Sequence, residues 1–566
     1  MQLGNSKAAS FPGRVPSTVW YGVLFIVVAT LLVYWPVYSA GFIWDDDDYV
    51  INNQSLHDFK GLSAIWLDAK ATPQYYPLVF SSFWVEYHLW GLNPRGYHVV
   101  NVLLQITGAL LLWRGLASLK VPGAWLAAAL FALHPVQVES VAWIAERKNV
   151  SSTVFYLAAA LAYFRFAGLD GSALADRPRR RFYGIALVLF VAALLCKTVT
   201  CSLPAALALV TWWKNGRLVR RDILPLLPFF AVGLVLGLHT AWLEKTHVGA
   251  SGAEWSLTLL ERCLVAGRVL WFYAANLVCP LHLTFIYPRW VINPGVWWQW
   301  LFPIGAAGVV AGLWLARQRI GRGPLAAVLF FAITLFPASG FINVYPMRFS
   351  FVADHFQYLA CIGLLALAAA RLGHYPKFVP GMVLALCGVL TWNQCAIYED
   401  LPTLWADTLA KNPACWMAHT NLGRLLAAQE QYPEAEAQYQ ASLAINSHVE
   451  DTHYNYGNLL ARTDRLPEAV AQYQLALQLA PDRAEFHSNL GVVLLRLKRT
   501  DEAIAEDRQA TVLDPDVMSY HYNLANALLA QHQTNDAVAE FQRALQLAPD
   551  SALVKRRLRA LGVDVN

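Results

Sequence analysis

VWYGVLFIVVATLLVYWPVYSAGFIWDDDDYV, residues 19–50, is the stretch on which the fold turns. Its first part, 19–40, carries no charge, and at about 1.5 Å per residue it is long enough to cross a bilayer. Four consecutive carboxylates follow, Asp45, Asp46, Asp47 and Asp48, between Trp44 and Tyr49. They sit at the membrane–water boundary. So much like charge is unfavourable unless something cationic answers it: a metal, a basic side chain, or protons taken up at raised pKa. The plainer alternative is a solvated acidic loop that stops the helix.

The rest of the chain divides in two. Up to about Cys395 it is a succession of apolar runs broken by short basic links, and beyond that point no run could span a membrane. The mean hydropathy of +0.38 and the 57% of hydrophobic residues therefore average two unlike parts. A polytopic membrane domain, 1–396, precedes a soluble one. The net charge of +5 is modest and clusters in loops, which speaks for membrane orientation and against nucleic acid. Eight Cys are scattered without a CxxC pair or a Cys/His spacing, so neither disulfides nor zinc is indicated.

The basic links set the topology. Lys7 and Arg14, then 114–120, 177–181, 214–221, 317–322 and 371–377, are read as inward, which places Asp45–Asp48 outward. Spans fall near 19–40, 98–116, 122–138, 150–167, 182–197, 198–213, 223–243, 296–316, 323–342, 352–370 and 378–396, about eleven in all. An odd number puts the soluble domain on the Asp45 side. Residues 259–280 are apolar but carry Glu261, Arg262 and Arg268, and are read as re-entrant or interfacial. The loop 41–97 is rich in aromatics and suits short amphipathic helices at headgroup level.

Ionisable groups recur at the ends of spans on the Asp45 side: His134, Glu139, Arg147, Lys197, Arg268, Arg348, Asp354 and His355. Each alone has a structural reading, His134 as a cap before Pro135 and Lys197 as a snorkelling side chain. Together they are costly unless they meet in a polar cavity. A carboxylate base facing Lys, Arg and His suits a reaction that releases a phosphate. No GxGxxG, P-loop or GxSxG competes.

In the soluble part Gly423, Gly457, Gly491 and Ala525 are 34 residues apart. So are Ala435, Ala469, Ala503 and Ala537, and so are Tyr439, Tyr473, Asp507 and Phe541. Small residues let two helices approach, an aromatic fills the gap, and Pro481, Pro515 and Pro549, again 34 apart, end their units, with Ser447 and Asp507 departing from the pattern. Four tetratricopeptide repeats follow, in 416–551. A linking helix or half repeat with Trp405 and Pro413 precedes them in 397–415, and a capping helix follows in 552–566. Asn421, Asn455, Asn489 and Asn523 form a ladder on the first helices, able to bind an extended peptide backbone or simply to serve helix packing.

With these residues in view the chain resembles the transmembrane and tetratricopeptide-repeat O-mannosyltransferases and their bacterial relatives, of the C-type glycosyltransferase superfamily. The resemblance rests on Phe42 to Asp46, and on His134-Pro135 with Glu139, Val141 and Arg147. It also rests on Lys197-Thr198, Arg268 through Pro280-Leu281-His282-Leu283, Ala353-Asp354-His355 with Tyr358, and the repeats. It implies an all-α fold, a polyprenyl-phosphate sugar donor, an outward cavity and transfer to a protein hydroxyl. Asp45 or Asp46 would be the base, with inversion at the sugar carbon. Lys197, Arg268, Arg348 or His355 would bind the donor phosphate, and His134, Glu139, Arg147, Asp354 and Tyr358 would line the cavity. Mg or Mn on Asp45–Asp48 stays open. Some relatives have Glu-Arg where this chain has Asp354-His355. The expected place is a bacterial inner membrane, N-terminus inside and repeats periplasmic, equivalent to the endoplasmic reticulum in a eukaryote. The rival readings are a non-catalytic repeat scaffold and a ligase or polymerase of lipid-linked polysaccharide.

Overall fold

A computed structural model describes residues 17–171, 176–246 and 255–564. Lys7 and Arg14, read above as the first inward charges, lie outside them. Among the described residues every regular element is helical. The chain forms two compact units, Met1–Asp407 and Thr408–Asn566.

Among the described residues of the first unit, five helices are long and apolar enough to cross a membrane: Pro94–Ser118, Ile144–Ala167, Arg220–Thr246, Trp297–Ile320 and Phe378–Ile397. A sixth is formed if Ala124–Leu133 and Pro135–Ala142, bent by 57°, count as one. Ser17–Val33, Gly323–Ala338 and Cys361–Leu372 are apolar but shorter. For four of the expected spans, 19–40, 323–342, 352–370 and 198–213, the difference has one cause. On the side of Asp45 these helices stop early and pass into tight turns: Trp35–Ser39 after the first, Phe336–Ala338 inside the second, and Asp354–Gln357 before the third. Thr198–Ser202 likewise precedes Leu203–Asn215. Pro36, Pro135 and Pro337 lack the N–H that a continuing helix needs, and their rings clash with the preceding turn. Irregular backbone at this depth is tolerated where it lines a polar cavity.

Leu259–Val278, in the stretch read as re-entrant or interfacial, is one unbroken helix of 20 residues and is not among the helices apolar enough to cross a membrane. A capping box at Thr258 and Glu261 starts it. Arg262 is answered by the carbonyls of Gly340 (2.7 Å) and Phe341 (3.2 Å) and by Asn343 Oδ1 (2.8 Å). The loop 41–97 holds two further helices, Phe59–Leu67 and Pro77–Trp90, with Phe59, Leu67 and Leu89 exposed on them.

The second unit stacks helix pairs. At Gly423 and Gly457 an added Cβ would come within 2.8 Å of the Tyr439 and Tyr473 rings, so helix and ring meet only because the Cβ is missing. The third repeat breaks this pattern. Asp507 takes the place of the aromatic against Gly491, 1% exposed, and neither carboxylate oxygen has a hydrogen-bond partner. Burial pushes its carboxyl up to about 8, with Glu506 beside it adding to the effect. The folded chain then holds a proton that the unfolded chain releases, so stability falls as pH rises from about 4 to about 8. Asp507→Tyr should remove that slope and stabilise the array by about 1–3 kcal/mol at neutral pH. Thermal midpoints across pH, read beside wild type, check it.

Candidate active site

Trp44 sets the geometry. Its φ of +42° lies in the left-handed region that bulky residues avoid. A cage of rings holds it there: Trp143 stacked at 5.5 Å, Phe285 at 5.2 Å, and Phe349 and Trp405 each at 6.1 Å. After this turn the four carboxylates separate. Asp46 turns inward, fully buried, and accepts from the N–H of Ile43 (2.9 Å) and of Ala145 (2.7 Å). It ties the loop 41–52 to the segment before Arg147. Asp45 and Asp48 instead stand on the wall of a cavity of 260 Å³. Asp47 opens one wide turn, closed by Asn52 N–H on its carbonyl at 2.8 Å. The four do not converge, and among the described residues no group of three His, Cys, Asp or Glu could hold a metal ion.

Glu139, Glu146, Lys148, Lys197, Glu244 and His355 share the cavity with Asp45. Glu146, 1% exposed, is their centre. Its carboxylate is 2.9 Å from Lys148 Nζ and 3.1 Å from Lys197 Nζ, and it accepts from Asn149 Nδ2 at 2.6 Å. His355 Nε2 is 3.9 Å from the same group. The His355 backbone N–H donates to Glu139 at 2.8 Å, and the ring's Nδ1 lies 3.1 Å from the same carboxylate. Lys148 also reaches Tyr49 Oη (3.3 Å). Tyr49 donates to Gln74 (2.7 Å), and Gln74 donates to Glu244 (2.8 Å). Two ammonium groups are thus preset side by side, each desolvated and paired. Burial pushes the Asp45 carboxyl up to about 6, against the pull of Lys148.

Of the residues expected at this site, Asp45, Asp48, Glu139, Lys197 and His355 are brought together on the cavity wall and the others are not. Arg147, expected in the cavity, points the other way. It pairs with Glu86 and Asn101 and donates to the Tyr97 carbonyl at 2.8 Å. Successive helical residues face about 100° apart, so at a helix start Glu146 and Lys148 take the cavity that was assigned to their neighbour. Arg268 lays its guanidinium over Trp290 at 4.3 Å, off the wall. Arg348 sits in the turn Tyr345–Arg348, whose Tyr345 and Pro346 line the cavity in its stead. His134 contacts the Leu277 carbonyl at 3.1 Å. Asp354 accepts from Tyr287 Oη at 3.0 Å, and Tyr358 donates to Gln105, all behind the wall.

The asparagine ladder is largely engaged within the repeats. Asn421 donates to the Met417 carbonyl (3.0 Å), Asn489 to Tyr454 Oη (2.7 Å) and Asn523 to Ser488 Oγ (3.0 Å). A second ladder, visible at the same spacing but not singled out from the sequence, is histidine. His419, His453, His487 and His521 each bridge a side chain 19 residues on and a carbonyl six residues back. The partners on the second helices are Gln438, Gln472, Glu506 and Glu540, at 2.6–2.7 Å.

Comparison with known proteins bears on this arrangement. Family models described as TPR repeat and tetratricopeptide repeat match residues 403–449, 457–498 and 519–551. The protein O-mannosyl-transferase TMTC3 of Mus musculus is 30% identical over 170 residues, 28% of this chain and 18% of its own length. TMTC2 of Mus musculus is 32% identical over 154 residues, 25% of this chain and 18% of its own. Tmtc3 of Drosophila melanogaster is 30% identical over 210 residues, 31% of this chain and 22% of its own. The match spans about a fifth of the length of these relatives. The crystal structure of MamA aligns with 27% of this chain and 88% of its own, at 18% identity and a TM-score of 0.25. The chain carries tetratricopeptide repeats and resembles the transmembrane and tetratricopeptide-repeat protein O-mannosyltransferases.

Proposed function

We propose that the membrane unit is an inverting glycosyltransferase. It moves a hexose such as mannose from a polyprenyl-phosphate donor to a Ser or Thr hydroxyl of a protein, on the non-cytoplasmic side of a bacterial inner membrane. One observation carries this reading: Asp45 shares a cavity with Lys148, Lys197 and His355. The acceptor hydroxyl loses its proton to Asp45 as its oxygen attacks the anomeric carbon. The bond from that carbon to the phosphate oxygen breaks, and the phosphate leaves with the electron pair. Lys148, Lys197 and His355 take up the charge that develops on it. Asp46 acts as a positioning residue through the two N–H groups it holds. No step runs through a metal. The repeats present the acceptor.

The test is transfer by the purified full-length chain from mannosyl-phosphoryl-polyprenol to a Ser/Thr-rich secreted protein, read as intact mass. Addition of single hexoses, abolished in Asp45→Asn, is expected. Growth of a lipid-linked glycan without protein acceptor would move the assignment to a polysaccharide polymerase. No product of either kind would leave the repeat scaffold.

A further inference from the structure

A second cavity lies in the other half of the membrane unit. It measures 530 Å³, within the roughly 300–1,000 Å³ usual for small-ligand pockets. Its walls come from Pro94–Ser118, Arg147–Ala167, Leu203–Asn215, Gly323–Leu335 and Cys361–Leu372, and they are lined by Leu112, Leu157, Phe164, Leu207 and Phe330. Arg147–Ala167 runs between the two cavities. Lys148 in its first turn faces Asp45, whereas Phe164 lines the second cavity, about 24 Å away at 1.5 Å per residue.

The mouth of this apolar cavity is basic. Arg371 and His374 stand on its wall, exposed. Lys214 donates to the carbonyl of Leu119, itself a wall residue, at 2.9 Å. The Arg322 guanidinium lies against Gly216, so close that a Cβ there would overlap it, and the adjoining Gly323 and Ile320 line the wall. The stretches 114–120, 214–222, 317–322 and 371–377, which close this end of four of the five wall helices, hold one acid, Asp222, and the stretch 168–171 after the fifth holds Asp170, 3.8 Å from Arg165. The Asp222 carboxylate accepts from the Val219 N–H at 3.2 Å.

We propose that this cavity binds one anionic phospholipid of the leaflet opposite Asp45. An acyl chain fills the interior, and the phosphate meets Lys214, Arg322 and Arg371. An apolar chamber with cations gathered at one end matches an amphiphile charged at one end. A zwitterionic lipid answers those cations less well, because its own ammonium opposes them. Free phosphate would leave the apolar walls without a partner. The site holds whether or not the Asp45 cavity transfers a sugar.

The full-length protein in nanodiscs of equal phosphatidylglycerol and phosphatidylcholine, weighed by native mass spectrometry, tests this. Wild type should retain phosphatidylglycerol over phosphatidylcholine by at least about tenfold, as expected of two or three cations at a membrane surface. Lys214→Glu with Arg371→Glu, both exposed, should bring the ratio near one. Ala160→Trp, which fills the chamber, should lose the adduct while the protein still elutes as wild type. Equal retention of the two lipids by wild type, or a ratio unchanged in the double variant, would overturn the proposal. So would recovery of a polyprenyl phosphate that Ala160→Trp displaces.

Discussion

Asp45→Asn is expected to lower the rate of transfer about 10²–10⁴-fold, the usual loss when a general base is removed. Donor affinity should stay near wild type, because the cations around Glu146 are untouched. The melting midpoint should not fall either, since Asp45 holds no backbone in place. Asp46→Asn separates position from chemistry. It sets an amide N–H₂ against one of the N–H groups of Ile43 and Ala145, so the midpoint should drop together with the rate. In wild type, kcat/KM should climb as pH rises through about 6, because Asp45 works only after losing its proton and its carboxyl is pushed up to that value. A wild-type rate in Asp45→Asn would take the base away from Asp45 and leave the transfer to another group on the cavity wall.

Arg147→Met should destabilise the membrane unit by about 3–5 kcal/mol, the cost of stranding a buried charge. Arg147 is fully buried and the Glu86 side chain is 5% exposed, so Glu86 has no water to turn to. Arg147→Met with Glu86→Leu should recover most of the loss, because the pair disappears as a whole. Donor binding should be retained in both, since Arg147 faces away from the cavity. Thermal midpoints in detergent, read beside donor affinity, check both points. An Arg147→Met midpoint equal to wild type would mean that this pair does not anchor the loop 41–97.

Much of this was legible in the amino acids. Apolar run length exposed the membrane helices, and the 34-residue period exposed the repeats with the unusual Asp507 among them. The acidic loop after residue 40 was visible as a place where charge needs an answer. What could not be read was facing and partnership. Choosing among Glu146, Arg147 and Lys148 depends on where a helix begins after the turn Ile144–Glu146, and one residue's shift swings the side chain by about 100°. Gln74 and Glu244 meet across 170 residues of chain, and Glu244 ends what looked like one more span. The aromatic cage around Trp44 draws on residues as distant as Trp405, and nothing local announces a left-handed tryptophan. The histidine ladder is the opposite case. Its spacing was in plain sight, and its meaning lay in the bridge.

Asp507 also has a mechanical consequence. In a stack where each module leans only on its neighbours, strength is set locally, and the array is as tough as its poorest joint. Three of the four modules fill that joint with a ring and the third fills it with a carboxyl group. The array therefore carries a built-in fracture point, with two modules on one side and one on the other. Pulled from the C-terminal end above pH 8, it should rupture there first, in two steps rather than one, and Asp507→Tyr should merge them.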